Sequence, residues 1–350
     1  KNSQERRVSQ QRAPMRLSSL LAGSALALLA VPALAATPAE VVDGYADIAE
    51  AAYGDSLVAA RALEDAVEAF LAAPSPEGLG AARAAWVAAR VPYQQTEVYR
   101  FGNPIVDDWE GRVNAWPLDE GLIDYVDPSY GGATDENALA ALNVIANPLL
   151  TVAGREVDAS AITPELLAET LDQADGVESN VARGYHAIEF LLWGQDLNGH
   201  GPGAGDRRWT DYAQGPDCTN ANCDRRADYL RAATRLLVAD LEWMAAQWAE
   251  GAAAREAVTA DPRAGLVAML TGMGSLSYGE LAGERMRLGL MLNDPEEEQD
   301  CFSDNTHWSH FHDGLGIRND TPGRHQRIDG TAVEGPSLRD NVAEADPALA

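Results

Sequence analysis

The chain has 350 residues, 26 of them basic and 54 acidic, a formal charge of −28 and 46% hydrophobic residues. That length allows about two domains with a sizeable core. The acidity excludes nucleic acid and anionic lipid surfaces as partners, and it favours cations near the protein, although solubility alone would explain it.

Residues 1–35 read as an upstream extension followed by a secretory signal. Met15-Arg16, the apolar run 17–30 and the ending Val31-Pro32-Ala33-Leu34-Ala35 have the charged start, short apolar region and A-x-A close of a signal peptide, cleaved after Ala35 or Ala36. Its removal takes five basic and one acidic residue, leaving −32. A periplasmic protein is expected, with outer-membrane association left open. No later stretch offers about eighteen uninterrupted apolar residues, so no transmembrane span is expected.

The rest reads as all-α: a first helical bundle over 36–174 and a second over 175–350, with long irregular loops. A long amphipathic helix is expected over 38–73, stopped by Pro74-Ser75-Pro76. A second runs from Gly78 to Val98, kinked at Val91-Pro92. Residues 101–130 read as loop with short helical turns, and helices resume over 136–146, 164–174 and 175–197. The Gly/Pro-rich excursion 194–223 has the length of a functional loop. Helices follow over 224–251 and, after Pro262, 263–292; residues 301–336 read as coil. Long helix, Pro-containing break and second helix thus occur twice, which suggests an internal duplication whose second copy is short of helices at the C-terminus. No strand-like alternation of useful length appears.

Cys218 and Cys223 bracket a turn-rich tetrapeptide, and in an exported chain that spacing fits a local disulfide. Cys301 is left over as a buried thiol.

The chemistry concentrates in Gly184-Tyr185-His186-Ala187-Ile188-Glu189, which on a helix sets an imidazole and a carboxylate three residues apart on one face. With six histidines and 54 acids, about one such match arises by chance, so the spacing alone is weak. A helix apolar nearly all round is buried, and a buried His beside a buried Glu needs partners. His186 and Glu189 are two candidate ligands for a first-row metal, iron or zinc, with Glu97 and Asp119 as further ones. A salt bridge from either acid to an arginine such as Arg90 or Arg285 is the competing reading. His307, His310 and His312 form a second candidate metal cluster by residue type. There is no His-Glu-x-x-His, no Gly-x-Ser-x-Gly and no phosphate-binding loop, so no nucleotide cofactor is expected.

The stretch from Gly184 to Gly194 resembles the Gly-x-His-x-x-Glu signature of imelysin-like proteins. Arg112-Val113-Asn114-Ala115-Trp116-Pro117-Leu118-Asp119, residues 218–226, 279–286 and Cys301-Phe302-Ser303-Asp304-Asn305-Thr306-His307 resemble the branch called iron-regulated protein A. The resemblance implies an exported bacterial protein of two helical bundles with the motif near the groove between them. The family is grouped with metallopeptidases of the M75 type after an insulin-cleaving member, and other members are linked to iron uptake. The expected function is binding of a metal ion, or of a small ligand carrying one, with envelope iron-uptake proteins as candidate partners. One alternative is a zinc-type metallopeptidase using Glu189 as base. Another is a structural role in which His186 and Glu189 form a hydrogen-bonded core pair.

Overall fold

Thr37 and Glu40 form a capping box: the Thr37 hydroxyl accepts from the Glu40 amide, the Glu40 carboxylate accepts from the Thr37 amide, and Pro38 takes the first helical position. In the computed structural model, which describes residues 36–293 and 295–345, the helix they open is α1, Pro38–Ala72. The expected signal peptide lies outside the described residues.

Ser75 caps α2, Pro76–Gln94, which passes Pro92 and ends two residues later. After a 3-10 turn at Glu97–Tyr99 come α3, Pro104–Asn114, and the short α4, Glu120–Ile123. Strands β1, Leu149–Val152, and β2, Arg155–Asp158, pair antiparallel with Leu149 opposite Asp158. Then follow α5, Pro164–Leu166, a π-helical turn Leu167–Leu171, and the motif helix α6, Gly184–Trp193. Next are α7, Cys223–Gln247, α8, Ala253–Thr259, and α9, Pro262–Gly274, which continues into a π-helical stretch Ser275–Leu288 and α10, Gly289–Leu292. The described chain closes with α11, Thr306–Asp320, a hairpin of β3, Arg324–Gln326, and β4, Ala332–Glu334, and α12, Leu338–Ala345.

The fold is mostly helical, as expected, with four corrections. Residues 136–146 form turns rather than a helix, held by side-chain bonds such as the Leu139 amide to Asn137. The motif helix is ten residues long, because Asp175 and Gly184 take left-handed backbone and Gly194 takes positive φ. Residues 306–320, expected as coil, are α11. Two short hairpins exist where no strands were expected.

Helix α1 packs on α2 and also on α7, α8 and α9, so helix contacts cross the expected boundary at 174/175. At the centre lies α6, packed by α2, α3 and α7, with all ten residues buried. Its sequence allows this because it is apolar except at His186 and Glu189. Trp86, Trp109 and Trp248 are at most 1% exposed, and burial of each ring contributes roughly 4–6 kcal/mol. Among the described residues no helix is long and apolar enough to cross a membrane. Cys218 and Cys223 are joined by a disulfide at the entry to α7, and Cys301 is buried outside it.

Candidate metal centre

Gly184 opens α6 at φ +81°, and a Cβ there would lie 2.6 Å from the Val113 carbonyl oxygen. Only glycine lets the helix start against the α3 backbone, and this start fixes where His186 and Glu189 point. Both are fully buried, and His186 Nδ1 lies 3.0 Å from Glu189 Oε2.

A third group arrives from far along the chain. Asp300 is on the loop leading into α11, with Oδ1 3.7 Å from His186 Nδ1. His186, Glu189 and Asp300 each place one ligand atom within 4.8 Å of the others, the one such group of three among the described residues. His186 Nδ1 lies 3.0 and 3.7 Å from the two carboxylates, close enough for the three groups to share one ion. One imidazole and two carboxylates suit a divalent first-row metal, so the residues fit such an ion.

The surroundings are equally specific. Arg90 of α2 donates from Nη2 to Asp300 Oδ1 at 2.7 Å and from Nε to Oδ2 at 3.4 Å, while its Nη1 donates to Asn114 at 2.6 Å. Its guanidinium also lies over the rings of Trp86, Tyr93 and Tyr185 at 5.5, 5.7 and 5.0 Å. Asp300 Oδ2 further accepts from Asn305 and Ser309. Glu189 Oε1 accepts from the Ser303 amide at 2.9 Å and hydroxyl at 2.6 Å.

Burial and neighbouring charges shift the three groups in different directions. Burial, and then the nearby Arg90, push the His186 imidazolium down to about 3, so the ring is neutral at neutral pH. Burial and then the Asp300 charge hold the Glu189 carboxyl well above its ordinary range. Burial acts on Asp300 too, but Arg90 outweighs it and keeps that carboxylate ionised below its usual value. The His186–Glu189 contact is therefore a hydrogen bond, not an ion pair. Glu189 Oε2 and His186 Nδ1 share that one hydrogen bond, 3.0 Å apart, while Oε1 accepts twice from Ser303. The other ring nitrogen, Nε2, is buried without a hydrogen-bond partner.

The other candidates fall elsewhere. Glu97 is buried with Arg285, whose Nη2 donates to its Oε2 at 2.7 Å. Burial raises that carboxyl, but Arg285 and then Arg100 outweigh it, and its pKa lies below the ordinary value. Asp119 precedes α4 and accepts from Tyr130, Asn137 and Ser179, organising the loop around it. Neither is among the ligand atoms grouped with His186. The three histidines of α11 are not among those ligand atoms either: His307 is exposed beside Trp308, His310 lines a cleft of about 510 Å³ with Arg285, and His312, about a turn and a half beyond His307, lines a smaller cavity with Arg90. Sequence reasoning missed Asp300, Arg90 as its partner, and Ser303. The available signal was the run beginning at Cys301, which Asp300 immediately precedes.

Fold and site together define a helical protein with a buried His-carboxylate cluster built on one central helix. The profile of the imelysin family, peptidase M75, matches residues 49–350, and the chain belongs to that family. It is 32% identical over 81 residues to iron-regulated protein A of Synechococcus elongatus, a match covering 23% of each protein. The chain thus matches under a quarter of that curated relative's length. A solved structure described as an iron-regulated protein A precursor from Parabacteroides distasonis aligns with a TM-score of 0.62 at 18% identity, over 91% of this chain and 83% of that one. That similarity is one of fold.

Proposed function

We propose that this chain is an exported, iron-related protein of the bacterial envelope that holds a divalent metal ion at His186, Glu189 and Asp300. The observation that carries the proposal is the convergence, fully buried, of one imidazole and two carboxylates, two of them from α6 and one from a loop more than a hundred residues away. Family membership and the name of the Synechococcus relative support the link to iron.

Holding an ion fits better than peptide hydrolysis. A hydrolytic centre needs a ligand position open to water and an ionised base. Here all three groups are buried, and burial and the Asp300 charge raise the Glu189 carboxyl well above its ordinary range, which works against an ionised base. A purely structural reading has its own support, because every carboxylate oxygen of the cluster already has a hydrogen-bond partner.

Titration of metal-free protein with Zn²⁺ and with Fe²⁺ decides between them. One ion per chain is expected, lost in His186→Ala and in Asp300→Asn while the far-ultraviolet spectrum stays helical. No binding, or equal binding by both variants, leaves the structural reading. Cell fractionation tests export: full-length chain retained in the cytoplasm would overturn that part.

A further inference from the structure

Arg90 Nη2 donates to Asp300 Oδ1, the same oxygen that faces His186 Nδ1. A single carboxylate oxygen therefore stands between the guanidinium and an ion held by His186, Glu189 and Asp300. None of these four side chains is more than 1% exposed. The rings of Trp86, Tyr93 and Tyr185 surround the guanidinium, so solvent screens its charge little. Arg285, the other fully buried guanidinium on this side of the core, is already matched by Glu97 and Asp313.

The charges in this pocket can be counted. As ligands, Glu189 and Asp300 bring one negative charge each and His186 brings none, while Arg90 brings a positive charge that it does not give up. The four groups then sum to −1 alone, to +1 with a divalent ion and to +2 with a trivalent one. Each further unmatched charge in a buried setting is costly. We propose that Arg90 selects the valence of the bound ion, admitting divalent ions and turning away trivalent ones, so that iron is held as ferrous. The assignment rests on the metal-holding reading above and adds a specificity-determining residue to it. At an effective dielectric of about 20 and a separation of about 5 Å, one guanidinium disfavours each added unit of ion charge on the order of a hundredfold. For iron the same hundredfold raises the reduction potential by about 120 mV, at about 59 mV per tenfold for one electron.

Zn²⁺ and Ga³⁺, neither of which changes oxidation state, are the probes, each delivered to metal-free full-length protein from its nitrilotriacetate complex. Wild type should hold Zn²⁺ more tightly than Ga³⁺. In Arg90→Gln the ratio of Ga³⁺ to Zn²⁺ affinity should rise on the order of a hundredfold. Arg90→Lys, which keeps the charge without the fork, should stay within about tenfold of wild type. Loss of positioning alone would weaken both ions and leave the ratio unmoved. Arg61→Gln, which removes an exposed guanidinium from α1, should match wild type. With iron bound, voltammetry should place Arg90→Gln about 120 mV below wild type. Failure of wild type to bind Zn²⁺ overturns the metal-holding reading and this assignment with it. If Zn²⁺ binds, three results overturn the role of Arg90 alone: Ga³⁺ held as tightly by wild type, a ratio and potential unmoved in Arg90→Gln, or an equal shift in Arg61→Gln. The wild-type comparison stands even if the Arg90 variants do not fold.

Discussion

Arg90 grips Asp300 through two nitrogens, at 2.7 and 3.4 Å, with neither side chain more than 1% exposed. The pair joins α2 to the loop before α11 and fixes Asp300 3.7 Å from His186. Removing one partner leaves the other as an uncompensated buried charge, which costs about 3–5 kcal/mol. Arg90→Ala should lose that much in urea unfolding, whereas Arg90→Leu combined with Asp300→Asn should lose less, since no charge is left stranded. A loss below about 1 kcal/mol for Arg90→Ala would mean the pair behaves as if solvated.

Metal uptake should expel a proton. Burial and the Asp300 charge both raise the Glu189 carboxyl, which favours its protonated form in the metal-free protein, and an ion held by Glu189 and His186 would displace that proton. His186 is already neutral and contributes none. Calorimetric titration in buffers of different ionisation enthalpy should therefore report about one proton released per ion, and affinity should fall as pH falls. An enthalpy independent of buffer would contradict the protonation assigned to Glu189.

Gly184 is the motif position with the strictest backbone demand. At φ +81°, an alanine Cβ would meet the Val113 carbonyl oxygen at 2.6 Å and carbonyl carbon at 2.8 Å, both backbone atoms that cannot swing aside. Gly184→Ala should cost on the order of 2 kcal/mol or more and should disturb His186, two residues on. Alanine at Gly274, where an added Cβ meets nothing within 4 Å, is the control expected to be near neutral. If the two substitutions cost the same, the close approach of α6 to α3 is not what selects glycine.

How much was legible follows from which interactions are local. The helices α1, α2, α7 and α9 announce themselves by period and by caps such as Thr37, Ser75 and Asp261. So does the pairing of His186 with Glu189, three residues apart on α6. Asp300 left no such trace, since a lone acid in a polar loop gains its role only when the fold brings it to Arg90. The histidines of α11 were misjudged for a related reason. Their helix has almost no apolar stripe, carrying Thr306, Ser309, Asp313 and Asp320 on its buried side, so periodicity gives no sign that it is helical. Once it is helical, His307 and His310 share a face and only His312 is turned away from them, so the three do not converge on one point.

Asp320, at the end of α11, supplies a pH test away from the metal ligands. Tyr99 donates its hydroxyl to Asp320 Oδ1 at 3.1 Å, while Oδ2 is buried without a partner. Burial pushes the carboxyl up to about 8, and the Tyr99 hydrogen bond offsets only part of that. In the unfolded chain the same group titrates near 3.9. Between those values the folded state holds a proton that the unfolded state has released, so this group's stabilisation is complete below about pH 4 and is lost as pH rises through about 8. Asp320→Asn keeps an acceptor for Tyr99 and has no proton to lose. Its melting temperature relative to wild type should therefore climb from pH 4.5 to pH 8 and level off above. A difference that stays constant across this range would show that Asp320 titrates normally despite its burial.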